Sequence, residues 1–424
     1  MRHAVAACLL ICAFAATAPR ASASNDSLFA QQWGLGKIGA STAWGVAQGE
    51  GVVIAIVDSG VDLQHVDLNA KVVPGKNFVD AGQPPLDDCG HGTHVAGIAA
   101  AATGNGLGVA GVAPRAKIMP VRVLASDGSG GCGGDAASAG IRWAVDHGAR
   151  VINMSFGADT QPIFGSSFSD AIRYAWSKGA IPVVSAGNEF ILSSGFGDEP
   201  AIVVAATDRY DSKPLYSSGV GSARWGISAP GGAGDMFGPS NSSTDILSTY
   251  FDPSKPMDHS AYATMAGTSM AAPFVSGAAA VLLSMGLSKE QVVDRLLQTA
   301  DDIGSPGTFG HGRLNLARAV SAGSAASARP STPAPTVRSS IAPPTLGPQV
   351  TGRARSTISL APSAAPPART AVVTPAGTAP GSYAAPKTPD EDRRSPVLPI
   401  AVGLVGLAAA SSGAWMLYRS RAGL

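Results

Sequence analysis

VVIAIVDSG, residues Val52 to Gly60, runs through six apolar side chains without a break and turns abruptly polar at Asp58. Most of the six are β-branched, and the run is too short for a helix. It also lacks the alternation of a strand with one wet face, so it reads as a strand buried on both sides, the kind found inside a parallel sheet. KIMPVRVL (Lys117 to Leu124), RVINMS (Arg150 to Ser155), IPVVSA (Ile181 to Ala186) and AIVVAA (Ala201 to Ala206) repeat the pattern. Between and after them lie helical patterns at Asp135 to His147, at Ser167 to Lys178, near Ser269 and at Ser288. The last opens with a capping box, Ser288 with Gln291 three residues on, ahead of Val292, Val293, Leu296 and Leu297. Strand–helix alternation of this kind implies an α/β domain with a mainly parallel central sheet, right-handed crossovers and flanking helices. Ligands of such sheets bind beyond the carboxyl ends of the strands. Asp58, closing the first strand, is therefore at the chemically interesting edge.

Outward from this block the composition changes. Arg2 and His3 precede an apolar run from Ala4 to Ala16, and Ala21-Ser22-Ala23 supplies an A-x-A cleavage pattern, so residues 1–23 read as an export signal. Residues 24–320 form one large domain. From 321 to 395 Pro, Ala, Ser and Thr dominate, with too few large apolar groups to offset the entropy of ordering, as expected of a disordered stalk. Pro396 to Tyr418 is free of charge and bounded by Arg393, Arg394, Arg419 and Arg421. An apolar helix of about 20 residues crosses a ~30 Å hydrocarbon core, so residues 396–418 read as a transmembrane anchor, with 419–424 as a cytoplasmic tail and the domain outside the cell membrane. The formal net charge of the 424 residues is +1, with no basic stripe, which argues against a nucleic-acid partner.

Three residues of the domain suit nucleophilic catalysis. Asp58 ends a strand in IAIVDSG, His91 lies in CGHGTHVAG before an Ala-rich stretch, and Ser269 lies in MAGTSMAAP at a helix start. A serine hydroxyl needs a histidine to take its proton, and the histidine needs a carboxylate to fix its tautomer. Asn188, in VVSAGNE, is a candidate donor to an oxyanion, beside the Ser269 backbone N–H. Taken singly, each has an ordinary structural reading as a turn residue or a cap; the ordered set is what points to chemistry.

AIVDSGVDLQHVDL, HGTHVAG, VINMSFG, SAGNE and GTSMAAP together resemble, in order, the segments of subtilisin-like serine proteases, from about Asp26 to GHGRLNLARAV. The resemblance implies a subtilisin-like three-layer fold and a serine endopeptidase acting on polypeptides, with Asp58, His91 and Ser269 as triad and Asn188 in the oxyanion hole. It also implies substrate-binding edges at Gly128-Ser129-Gly130 and Ser155-Phe156-Gly157, and a packing role for His94. No cofactor is needed for such chemistry. NDSLFAQQWGLGKIGASTAW is similar to the opening of thermitase-like members, which implies a structural calcium held by Asp26, Asp67 and Asn105 with Thr103, Leu107 and Val109. The layout of signal, domain, stalk and anchor resembles that of mycosins, which implies association with a type VII secretion system.

Against the family pattern, the stretch between Ala23 and Asn25 leaves no room for a propeptide, and Phe190 to Pro200 is shorter than in common subtilisins. Once the signal is removed, Cys89 and Cys132 remain; an even pair in an oxidising exterior, placed by the resemblance on either side of the cleft, is expected to form a disulfide. An α/β-hydrolase esterase is excluded by the order of the residues and by G-T-S-M-A in place of G-x-S-x-G. A catalytically inert protease fold kept as a surface binding module is the remaining alternative.

Overall fold

The computed structural model describes residues 24–125, 134–156, 161–189, 196–234 and 241–327. The expected signal, stalk, anchor and tail lie outside them. Among the described residues no helix is long and apolar enough to cross a membrane.

The chain opens with α1 (Trp33–Ile38) and α2 (Ala40–Trp44), then β1 (Val53–Asp58), β2 (Lys76–Asn77), α3 (His91–Ala100) and β3 (Lys117–Arg122). It continues through α4 (Gly134–Asp146), β4 (Val151–Met154), α5 (Gln161–Ser177), β5 (Ile181–Ser185), β6 (Ile202–Thr207) and β7 (Trp225–Pro230). A two-stranded ribbon of β8 (Ile246–Thr249) and β9 (Tyr262–Met265) precedes α6 (Thr268–Ser284), α7 (Lys289–Gln298), α8 (Pro306–Phe309) and α9 (Leu316–Ser327). Strands β1 to β7 form one parallel sheet in the order β2-β3-β1-β4-β5-β6-β7. The α/β architecture expected from the strand–helix alternation is thus present.

The unbroken apolar run of β1 has a direct explanation. Ile54 and Ile56 point into a core shared with α3 and α6, while Ala55 and Val57 point into a second core shared with α4 and α5. Both faces are dry, so no polar alternation survives. Helix α6 is itself buried through most of its length. Gly277 lets it approach: a Cβ there would lie 2.6 Å from Val112 and 2.8 Å from the Ala99 carbonyl. The capping box at Ser288 forms as expected, with Gln291 N–H donating to Ser288 Oγ and Ser288 N–H to Gln291 Oε1.

Two differences from the sequence expectation are instructive. Helix α5 begins at Gln161, not Ser167, running through Gly165-Ser166-Ser167, whose weak helix formers suggest a start. Strand β7, WGISAP, has Gly226 and Ser228 within it and no unbroken apolar run, and so does not read as a strand. It lies at the edge of the sheet, where a residue without an N–H is tolerated.

Candidate active site

The order of the sheet places β1 between β3 and β4, where the winding reverses, and β1 ends there in Asp58. Asp58 is fully buried; its Oδ1 accepts from the Ser59 N–H at 2.8 Å and from His91 Nδ1 at 2.7 Å. His91 is the first residue of α3. Gly92, the next, packs so closely that a Cβ would sit 2.1 Å from the Gly60 carbonyl and 3.2 Å from Asp58 Cβ. Glycine at that position is what lets the helix end abut the Asp58 turn. Burial disfavours the charged imidazole, but the charge and hydrogen bond of Asp58 and the charge of Asp87 outweigh it, and His91 titrates above an ordinary histidine.

Ser269 lies in the first turn of α6, held by an interaction that follows from the sequence four residues on. Pro273 has no N–H, so the Ser269 carbonyl lacks its helical donor. The Ser155 hydroxyl, just past β4, donates to that carbonyl at 2.8 Å, and Ser269 Oγ donates back to the Ser155 carbonyl at 3.0 Å. Among the described residues, no hydrogen bond joins Ser269 Oγ to His91. Asn188, after β5, accepts at Oδ1 from both the N–H and the hydroxyl of Thr268, each at 3.0 Å. Its Nδ2 faces the Gly267 flank of the Ser269 turn, 3.6 Å from where a Cβ at Gly267 would stand.

Asp58, His91, Asn188, Ser155 and Ser269 thus all lie at strand carboxyl ends or helix amino ends facing one edge. Phe156 is buried and packs against Phe168 with ring centroids 5.8 Å apart. Gly128, Ser129, Gly130 and Gly157 lie outside the described residues. His94 is buried and reaches the carbonyls of Ile246 and Ala263, both at 3.1 Å, tying α3 to the β8–β9 ribbon as packing. Thr268 and Asp87 were not singled out by sequence reading. The Thr of GTSMAAP is a recognisable signal; Asp87 is hidden in an ordinary acidic turn.

Cys89 carries a free thiol, and its expected disulfide partner, Cys132, lies outside the described residues. Burial, with the Asp87 charge beside it, pushes the Cys89 thiol up to about 12, so it stays protonated. Donor atoms of Asp87, Asp88 and Cys89 lie within 4.8 Å of one another. They do not suit a metal, because Asp88 pairs with Arg122 and the Cys89 thiol stays protonated.

The second acidic group forms at the start of the domain. Asp26 and Asp67 are both buried, and neither belongs to an ion pair among the described residues. Asp26 accepts from the N–H groups of Gly104, Asn105 and Gly106 and from the Ser24 hydroxyl. Asp67 accepts from Asn105 Nδ2 at 2.8 Å, Val109 N–H at 3.0 Å and the Tyr262 hydroxyl at 2.9 Å. The loop holding Thr103, Leu107 and Val109 is thereby gathered against both carboxylates.

The fold agrees with the comparisons to known proteins. The Subtilase family profile matches residues 49–312, and the chain belongs to that family. It is 42% identical over 300 residues to thermitase of Thermoactinomyces vulgaris, a match covering 70% of this chain and 98% of thermitase. It is 40% identical over 305 residues to the thermophilic serine proteinase of Bacillus sp. (strain AK1), covering 70% of this chain and 69% of that one. Among solved structures, a protease from Pseudoalteromonas arctica PAMC 21717 superposes with a TM-score of 0.59 at 30% identity, covering 70% of this chain and 99% of that chain. The chain is therefore a serine endopeptidase of the subtilisin type.

Proposed function

We propose that this subtilase is an exported, membrane-anchored endopeptidase in which Ser269 is the nucleophile, His91 the general base and acid, and Asp58 the carboxylate that orients the imidazole. The Asp58–His91 hydrogen bond at 2.7 Å, made from a buried carboxylate, is the observation on which the reading rests. Substrate binding along the Ser155 edge draws the Ser269 hydroxyl from the Ser155 carbonyl to His91 Nε2. As Oγ attacks the peptide carbonyl, its proton passes to His91, and Asp58 stabilises the imidazolium. Asn188 Nδ2, fixed by Thr268, and the Ser269 N–H then meet the oxyanion. His91 gives the proton to the leaving amine. Water then gives its proton to His91 and attacks the acyl-enzyme ester; as the bond to Ser269 Oγ breaks, His91 returns the proton to Oγ and the carboxylic acid product leaves.

Two buried carboxylates, without a cationic partner among the described residues and bridged by Asn105 through its backbone N–H to Asp26 and its Nδ2 to Asp67, fit a hard cation in their donor chemistry. Asp26, Asp67, Asn105 and the carbonyls of Thr103, Leu107 and Val109 would hold a calcium ion, which would pin the start of the domain to the loop after α3 and take no part in the chemistry. The signal, stalk and anchor sequences support placement of the domain outside the cell membrane, and their layout supports a mycosin-like association with a secretion system.

The test is casein or peptide hydrolysis by the purified chain beside Ser269→Ala, each with and without EDTA. Turnover lost in the variant and a calcium-reversible loss of thermal stability in EDTA are expected. A folded wild-type chain that neither hydrolyses peptides nor reacts with a fluorophosphonate would favour the inert binding module instead.

A further inference from the structure

We propose that Asp87 is a positioning residue for the reaction: its buried carboxylate clamps the turn that carries Asp58 to the helix end that begins with His91. The proposal rests on the assignment of Asp58 and His91 given above. Asp87 is only 3% exposed, and five donors converge on it. Oδ1 accepts from Ser59 Oγ at 2.9 Å, Cys89 N–H at 3.1 Å and Gly90 N–H at 3.0 Å. Oδ2 accepts from Thr93 N–H at 2.8 Å and Thr93 Oγ1 at 2.6 Å.

These bonds run to both halves of the proposed couple. Ser59 donates its N–H to Asp58 Oδ1 at 2.8 Å, and its Oγ accepts from the Gly92 N–H at 3.0 Å. Thr93 Oγ1 accepts in turn from the Asp62 N–H at 2.9 Å. Helix α3 begins after Gly90, which has φ 89° and no side chain to cap the helix. Asp87 supplies the missing cap from three residues upstream, and its charge suits the positive end of the helix. Burial raises the Asp87 carboxyl above its usual range, but the donors from Thr93, Cys89 and Gly90 oppose this, and since every neighbour is a donor only the acceptor-only ionised carboxylate satisfies them all. Asparagine is the same size but must turn an NH₂ toward at least one of these donors, which opens the link at Ser59 or at α3.

The charge acts as well as the geometry. Asp87 is one of two carboxylates that favour the protonated form of His91, the other being Asp58. The remaining charged groups at this corner are already paired: Asp62 with His259, and Arg122 with Asp88. The Cys89 thiol stays neutral. Removing the Asp87 charge therefore lowers the pH at which His91 becomes neutral, and the acid limb of kcat/KM, which needs neutral His91, moves the same way.

The experiment uses the full chain in detergent with ¹³C-labelled histidine. In Asp87→Asn, kcat is expected to fall about 10- to 100-fold with KM within about twofold, since Asp87 acts through the general base and not on the substrate edge. The acid limb should move down by about half to one pH unit. Ser59→Ala removes the hydroxyl that ties Asp87 and Gly92 to the Asp58 turn and keeps the charge, so kcat should fall while the limb stays within about 0.2 units of wild type. The His91 ring titration by NMR, in the Ser269→Ala background, should show the same downward shift for Asp87→Asn without any turnover. An unchanged His91 titration in folded Asp87→Asn overturns the proposal, even if the melting temperature drops. A wild-type chain without turnover would instead remove the proposed function, and the ring titration would still decide the role of Asp87.

Discussion

Asp58 and Asp62 stand on one turn of chain after β1, and each holds a histidine through Nδ1: His91 at 2.7 Å and His259 at 2.9 Å. Both carboxylates are buried, and both imidazoles are about a quarter exposed, at 25% and 23%. By distance and burial the two couples are almost the same object. Their settings differ. His91 begins a helix, with Gly92 wedged against Gly60 and Asp87 clamping the helix end, on the edge that also gathers Ser269 and Asn188. His259 belongs to the connection between β8 and β9, and its carbonyl accepts from the Val66 N–H at 2.9 Å. There the couple fastens a loop to the Asp62 turn. A carboxylate–imidazole pair is thus a common structural device, and what surrounds the second ring nitrogen gives it chemistry.

Removing each imidazole separates the two couples most sharply. His91→Ala is expected to lower kcat by about 10⁴- to 10⁶-fold, the scale seen when a member of a serine triad is deleted. His259→Ala should leave kcat within about threefold, because its ring holds only the Asp62 carboxylate, while the bond from Asp62 toward the site is made by the separate Asp62 N–H. Initial rates on one peptide substrate, corrected for folded protein, measure both. A His259→Ala chain as inactive as His91→Ala would show that the second couple belongs to the reaction.

A smaller effect sharpens what the surroundings of His91 must provide. Asn188→Ala should cost about 10²- to 10³-fold in kcat, with KM little changed, because the side-chain donor meets charge that exists only in the transition state. Thr268→Val keeps the shape but removes the hydroxyl that holds Asn188 Oδ1, and leaves the N–H bond in place. Its cost should be smaller, about tenfold. Equal losses in the two variants would mean that Thr268, not Asn188, dominates oxyanion binding.

How much of this could be read from the sequence follows the same division. Asp58, His91, Asn188 and Ser269 each end or begin a strongly patterned element, so local pattern locates them well. VVIAIV and IPVVSA are buried on both faces, and their unbroken apolar character survives any context. Asp87, Ser59 and Thr268 act through hydrogen bonds to side chains and backbone groups brought close by the fold, which leave no periodic trace. His259 pairs with Asp62 across 197 positions of chain, a contact that no local pattern encodes. The edge strand β7 escaped because Gly226 and Ser228 break its apolar run, and the backbone partners of Ser228, Gly312 and Leu314, come from a distant loop that only the finished fold brings alongside.

The smallest difference between the couples concerns stability. His259 contributes to the fold by fastening the loop between β8 and β9, while Tyr250 and Tyr262 on either side of that loop reach the Cys89 carbonyl and Asp67. His259→Ala removes one partly exposed pair and leaves Asp62 with the Gln64 N–H at 3.0 Å. A pair of this exposure is worth about 1 kcal/mol, and the carboxylate left behind adds a further desolvation cost, so the total is about 1–2 kcal/mol. For a domain of this size that amounts to a drop of roughly 2–6 °C in melting temperature. His259→Gln, which keeps a donor in reach of Asp62, should recover about half of the loss. The check is calorimetry at a pH where the native chain unfolds reversibly. If His259→Ala melts at the wild-type temperature, the ribbon is held by its tyrosines alone, and the likeness between the two couples would be one of geometry without shared energetic weight.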